Sequence, residues 1–178
     1  LKITRAKFES LVDELVERDR AQQILRLVEE QLLKPVGLLT LSPHDPRYRA
    51  RYEGGVVERD GAYHQGTVWP FLLGPLVTAW MKAFGQSTVA RNKARSFLAG
   101  LEAHLHEACL GQVSEIFDAQ VPHQPRGCCA QAWSVAEPLR ALIDDLGVIA
   151  ETARPKMKTV IIRRRREPAP VAKPPSKS

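Results

Sequence analysis

A chain of 178 residues, 44% of them hydrophobic, is long enough for one ordinary domain with a buried core. Nine of its 26 Lys and Arg residues and two of its 20 acidic residues fall in positions 151–178, leaving 17 basic against 18 acidic residues in positions 1–150. The net charge of +6 therefore belongs to one end of the chain, which excludes a basic, nucleic-acid-binding surface spread over the fold.

Cys109, Cys128 and Cys129 are odd in number, two are adjacent, and no CxxC spacing occurs. This excludes a disulfide framework and a zinc ribbon, and it fits a reducing cytoplasm. Lys2, Arg5, Lys7 and Glu9 interrupt the first apolar positions, so no signal-peptide core is expected there. No run reaches the ~20 apolar residues of a membrane span.

The spacing of Phe8, Leu11, Val12, Leu15 and Val16 predicts one helix, and Ile24, Leu25, Leu27, Val28, Leu32 and Leu33 predict a second with Asp19 as a candidate cap. Pro35 and Gly37 end it. Residues 42–66 carry Pro43, Pro46, Gly54, Gly55, Gly61 and Gly66 with little period, and read as a long loop. Such loops are uncommon in compact domains and are usually disordered or functional. Tyr48, Tyr52, Tyr63, His64 and Gln65 favour function.

The apolar stretch from Thr67 to Phe84 is predicted helical, with Pro70 in a first turn and Gly74-Pro75 as a kink. A fourth helix is expected from about Val89 to Ala108, with Ala94, Phe97, Leu98, Leu101 and Leu105 on one side. Residues 111–127 again read as loop. The last helix, from about Cys128 to Leu146, should bend at Pro138. No strand ladder is evident, so the expectation is all-α. Beyond Arg154, five prolines and the run Arg163 to Arg166 predict a disordered basic tail, for which a solvated end outweighs attachment to nucleic acid.

Two constellations carry chemistry. The first runs from Arg47-Tyr48 through Tyr52-Glu53-Gly54-Gly55 to Tyr63-His64-Gln65-Gly66-Thr67-Val68-Trp69-Pro70 and crowds aromatic faces and planar polar groups at a loop-to-helix junction. Sugars are gripped by such groups, through C–H faces on rings and paired hydroxyls on amides. Composition weighs this evenly against Tyr63 and Trp69 as core anchors and His64 as a helix cap. The second runs from Gly111 through Ser114-Glu115-Ile116-Phe117-Asp118, then from Pro122 through His123, Arg126, Gln131 and Trp133 to Ser134. Two carboxylates three residues apart can include a general base, yet ExxD is common, and spacing alone favours a turn aspartate and an exposed glutamate. A zinc site from His104, His106, Cys109 and Cys128 is set aside, because positions two apart on a helix point in opposed directions; both histidines are expected on a helix surface.

The strings YHQGTVWP, SEIFD and PHQPRGCCAQAWSVAE resemble the signature blocks of the C-terminal glucosidase domain of glycogen debranching enzymes, and the resemblance extends from about Ala21 to Leu146. It implies a partial (α/α)6 toroid of the six-hairpin glycosidase type, here five or six helices with long active-site loops in residues 1–150, followed by the tail 151–178. The implied activity is inverting hydrolysis of α-1,6-linked glucosyl residues at glycogen branch points, without metal or organic cofactor. By the same match Glu115 is the catalytic base, as in the similar glucoamylase toroids. Tyr63, His64, Gln65, Trp69, His123, Arg126 and Trp133 become sugar-binding residues or the supports behind them.

The family's general acid lies in the earlier half of the toroid, outside this sequence. Asp118, Asp60, Glu58 and Glu53 are the only local replacements, and none matches the family position. The expected partners are glycogen or a branched α-glucan oligosaccharide and the first half of the toroid, with no membrane. The competing readings are a non-catalytic carbohydrate-binding remnant and, behind it, a nucleic-acid-associated protein working through the basic tail.

Overall fold

The computed structural model describes residues 16–148. The expected first helix, apart from Val16, and the basic tail lie outside them. In chain order the elements are α1 (Arg18–Gln31), a hairpin of β1 (Leu33–Lys34) and β2 (Gly37–Leu39), and α2 (Val56–Ala62). Next come β3 (Val68–Trp69), a 3₁₀ turn (Pro70–Leu72) and α3 (Leu73–Phe84). Then follow α4 (Thr88–Ser96), α5 (Ala99–His104), β4 (Ile116–Phe117), β5 (Pro125–Arg126), α6 (Ala132–Arg140) and a π turn (Ala141–Asp145).

In α1, Ala21, Leu25 and Val28 recur at helical spacing and are buried. Asp19 is not its cap. Glu17 holds that position without a side-chain bond, and Asp19 lies in the first turn, where its charge faces the positive end of the helix dipole. The helix packs on α3, whose C-terminal Ala83 carbonyl accepts from Arg18 Nε at 2.9 Å and Gln22 Nε2 at 2.8 Å. Gly85 then stops α3 with φ +81°.

Helix α3 is the centre of the core, with Leu73, Leu76, Val77, Ala79, Trp80, Met81 and Ala83 all buried. A helix with so wide an apolar face needs neighbours on several sides. Here α1, α4 and α6 enclose it. Gly74 permits the closest of these approaches, since a Cβ there would lie 2.7 Å from the Glu137 carbonyl oxygen of α6. Pro70 opens the 3₁₀ turn, and Pro75 falls in the first turn of α3 rather than marking a kink beyond it. A first turn has no intrahelical acceptor for the missing N–H, so Pro75 loses nothing there.

Four other expectations are corrected. The fold is helix-rich but not all-α: β1 to β5 form one antiparallel sheet in sequence order. Its registers include Leu38 opposite Trp69, Val68 opposite Phe117, and Ile116 opposite Arg126. Strands of two or three residues are too short to show a period of two, and only tertiary pairing defines them.

The loop over 42–66 contains α2. The expected fourth helix is two, broken at Phe97 and Leu98, because α5 is pulled against the β1–β2 turn; a Cβ on Gly100 would come within 2.0 Å of the Pro35 carbonyl oxygen. The last helix starts at Ala132, capped by Gln131, carries a buried Pro138, and then widens into the π turn. Arg140 fastens that turn to α3 by donating to Asp145 at 3.1 Å and to the Thr78 hydroxyl at 3.0 Å.

Candidate active site

The site is assembled around β4, between two loops that sequence places 50 residues apart. Residues 63–69 form a turn that clasps itself. The Tyr63 carbonyl accepts from the Thr67 hydroxyl at 2.6 Å and from Trp69 Nε1 at 3.1 Å, and Trp69 Nε1 also reaches Thr67 Oγ1 at 3.0 Å. Gly66, at φ +141°, closes the turn where a Cβ would meet the Arg49 carbonyl oxygen at 2.3 Å. With its backbone pinned in this way, Tyr63 presents its phenol to the second loop.

There, Glu115 receives three donors. Tyr63 donates its hydroxyl hydrogen bond to Glu115 Oε1, Gln131 Nε2 donates to the same oxygen at 3.3 Å, and the Cys128 amide donates to Oε2 at 3.0 Å. Backbone pairing aligns the partners: the Glu115 amide donates to the Cys128 carbonyl and the Gln131 amide to the Val113 carbonyl, each at 2.9 Å. Gly127, with φ +68°, supplies the room, since a Cβ there would lie 2.3 Å from Glu115 Oε2. Burial alone would raise the Glu115 pKa. The bonds from Tyr63, the Cys128 amide and Gln131 outweigh burial and hold the carboxyl below its ordinary range. Tyr63 moves the other way, pushed up first by burial and then by its bond to that carboxylate.

Asp118, at the far end of β4, lives differently. Its side chain is 6% exposed, its Oδ1 accepts from the Tyr52 amide at 2.8 Å, and its Oδ2 accepts from Arg126 Nε at 3.0 Å and from an Nη at 2.9 Å. A buried carboxylate with both oxygens committed to donors is fixed in place and orders the loop. His123, at φ +62°, pairs its Nδ1 with the Asp118 carbonyl at 3.1 Å. Thus His123 and Arg126 gather around Asp118, and Glu115 takes its partners from elsewhere. Glu53, Glu58 and Asp60 lie on the exposed surface at and before α2.

The aromatic residues form one continuous train. His64 stacks on Trp69 at 5.1 Å, Tyr63 meets both edge-on, Trp69 leads to Phe71, and Phe71 stacks on Trp133 at 4.7 Å. Trp69 is 2% exposed and serves as a foundation, whereas Trp133 is 45% exposed and offers a face. Gln65 Oε1 is buried without a hydrogen-bond partner.

Sequence reasoning overlooked four contributors. Gln131 and the Cys128 amide cradle Glu115, Gly127 makes the space, and Tyr52 fixes Asp118 through its backbone. A backbone donor leaves no residue-type signal, although Gly127 and Gln131 stand inside the block that carried the resemblance. The expectation of two surface histidines also fails. His106 is exposed, but His104 is 1% exposed, with Nε2 accepting from the Ser114 amide at 3.3 Å and its ring edge-on to Phe117. That acceptor role puts the proton on Nδ1, which faces Glu107 at 3.4 Å. His104 thereby anchors the residue that precedes Glu115.

Among the described residues no group of three or more His, Cys, Asp or Glu side chains is placed to hold a metal ion. No described helix is long and apolar enough to cross a membrane. The family model described as amylo-alpha-1,6-glucosidase matches residues 6–140, a span that includes both loops of the site.

Proposed function

The chain belongs to the amylo-alpha-1,6-glucosidase family, and from that premise we propose that Glu115 is the general base of an inverting hydrolysis of α-1,6-linked glucosyl residues at branch points of glycogen or related oligosaccharides. The observation that carries this reading is the cradle of Tyr63, Gln131 and the Cys128 amide, which keeps a half-buried carboxylate ionised and oriented. An ionised carboxylate can take the proton of the water that attacks the anomeric carbon. Trp133 offers an exposed ring face to a sugar. Trp69 and Arg126 act behind them, holding Tyr63 and Asp118 in place.

Inversion requires a second carboxyl group about 6.5–9.5 Å from the base, acting as acid. We assign it to the first half of an (α/α)6 toroid, of which this chain supplies the second half. An apolar groove of about 700 Å³ lined by Leu98, Leu101, Leu105, Val135 and Leu139 supports further helices packing beyond α5 and α6. The protein then works on glycogen breakdown in the cytoplasm without a cofactor, and an acid supplied from the adjoining half completes it.

The test is glucose release from a branched glucan by the assembled toroid. Glu115→Gln keeps a planar, hydrogen-bonding side chain but cannot accept the proton, so turnover should fall ~10²–10⁴-fold with sugar binding retained. Binding without any turnover by the unmutated assembly would favour the carbohydrate-binding remnant, and full turnover by Glu115→Gln would remove Glu115 from the chemistry.

A further inference from the structure

His104 takes no part in the proposed hydrolysis, yet this buried imidazole stands directly behind the segment that carries Glu115. It closes α5, and its Nε2 faces both the Ser114 amide at 3.3 Å and the Ser114 hydroxyl at 3.2 Å. Its Nδ1 faces Glu107 Oε2 at 3.4 Å, and the Glu107 amide returns to the His104 carbonyl at 2.9 Å. A hydroxyl, an imidazole and a carboxylate in that order resemble a nucleophilic triad. Burial excludes that chemistry, because Ser114 and His104 are each 1% exposed and no acyl substrate reaches the hydroxyl. An anchoring role fits the same contacts. A buried amide needs an acceptor, and while Val113 and Glu115 bond across to Gln131 and Cys128 through their backbones, the Ser114 amide between them is held by His104. The ring also meets Phe117 edge-on at 4.7 Å, so it touches the segment on both sides of Glu115.

We propose that His104 is the positioning residue of Glu115. By accepting from Ser114 and packing on Phe117, its ring fixes the backbone on either side of the carboxylate and so aims the side chain at Tyr63, Gln131 and the Cys128 amide. The packing contact alone would let the segment slide, since an apolar edge has little direction. The hydrogen bond from Ser114 sets the register, and the cradle around Glu115 needs that register because its own bonds weaken steeply with distance and angle. The consequence for turnover rests on the proposed function, whereas the alignment of the carboxylate does not depend on it.

The experiment compares His104→Phe, which keeps a ring but offers no acceptor, with His104→Gln, which places an amide oxygen near the position of Nε2. In the assembled toroid acting on a branched glucan, kcat of His104→Phe should fall by up to ~10²-fold with KM little changed, and His104→Gln should recover most of it. In the full chain alone, carbon NMR of the Glu115 carboxyl should show it titrating at higher pH in His104→Phe than in the unmutated protein, because the donors that hold it low are no longer aligned. A substitution that only weakened the fold would reduce the folded population and leave that titration in place. Nitrogen NMR of the unmutated chain should find the His104 proton on Nδ1 and a bare Nε2. A proton on Nε2, an unmoved Glu115 titration in folded His104→Phe, full kcat in His104→Phe where Glu115→Gln is inactive, or labelling of Ser114 by a fluorophosphonate would each overturn the proposal. Full turnover by Glu115→Gln together with a shifted Glu115 titration in His104→Phe would remove the hydrolytic reading and leave the positioning role standing, so the two ideas fail separately.

Discussion

The two ends of β4 each carry a carboxylate, and their surroundings could hardly differ more. Asp118 is nearly sealed, ion-paired to Arg126 and bonded to the Tyr52 amide, so its charge is spent on holding one loop against another. Glu115 is half-buried and meets only neutral donors: a phenol, an amide side chain and a backbone N–H. The Arg126 pair holds Asp118 with charge-assisted bonds, whereas the neutral donors orient Glu115 and, outweighing its burial, hold its carboxyl below the ordinary range. Three residues of sequence thus separate a structural acid from a candidate catalytic one, and the difference comes from what each end of the strand faces.

The sharpest way to break this contrast is the paired substitution. Glu115→Gln should remove ~10²–10⁴-fold of turnover at a smaller cost in stability, on the order of 1 kcal/mol, because its NH2 replaces one of two oxygens that both accept hydrogen bonds. Asp118→Ala should do the converse to the fold, costing roughly 1–3 kcal/mol. It strands the Tyr52 amide and Arg126, the latter 34% exposed and able to rehydrate in part. Chemical denaturation reads the second effect. A Glu115→Gln protein of full turnover, or an Asp118→Ala protein of full stability, would erase the distinction between the two ends.

Gly127→Ala sharpens the comparison from the backbone. A side chain at φ +68° costs roughly 1–2 kcal/mol, and its Cβ would meet Glu115 Oε2 at 2.3 Å. It should therefore lower both stability and turnover, while leaving the Asp118–Arg126 pair intact. Thermal melting together with glucose release checks it, and equal activity with wild type would mean that the 127–131 loop does not support Glu115.

The smallest expected effect belongs to Tyr63→Phe. Burial raises the Glu115 pKa and the Tyr63 hydroxyl is the foremost of the groups that lower it, so deleting that hydroxyl moves the pKa up. The acidic limb of the pH–rate profile should shift to higher pH. For stability, a carboxyl whose folded pKa is depressed contributes above its unfolded value of about 4.3 and loses that contribution as pH falls through the folded value. Tyr63→Phe should thus lose less stability on acidification than wild type. An unmoved acidic limb would separate Tyr63 from Glu115.

Much of the helical framework was legible in the residue order. Ala21, Leu25 and Val28 gave α1 its buried stripe, and Thr67 to Phe84 announced the central apolar segment. The breaks were less legible. Phe97 and Leu98 fit a continuous helical stripe, and the chain bends there because Gly100 must lie against the Pro35 carbonyl, a contact 65 residues away in sequence. The site was readable as residue types and not as roles. Tyr63, His64 and Trp69 were placed together by their own spacing, but the sequence does not distinguish the buried Trp69 from the exposed Trp133, nor tell that Arg126 serves Asp118.

Sequence by itself determined what is periodic or local: the amphipathic helices, the glycines and prolines that punctuate them, and the blocks that mark the family. Tertiary structure alone decided the rest, for a physical reason visible in each case. Strands of two and three residues exist only because Leu38, Val68, Phe117 and Arg126 come side by side in the folded chain. The roles of Glu115 and Asp118 depend on hydrogen bonds to residues 52 and 66 positions earlier, Tyr63 and Tyr52, where a directional contact a few tenths of an ångström wide leaves no trace in composition or spacing.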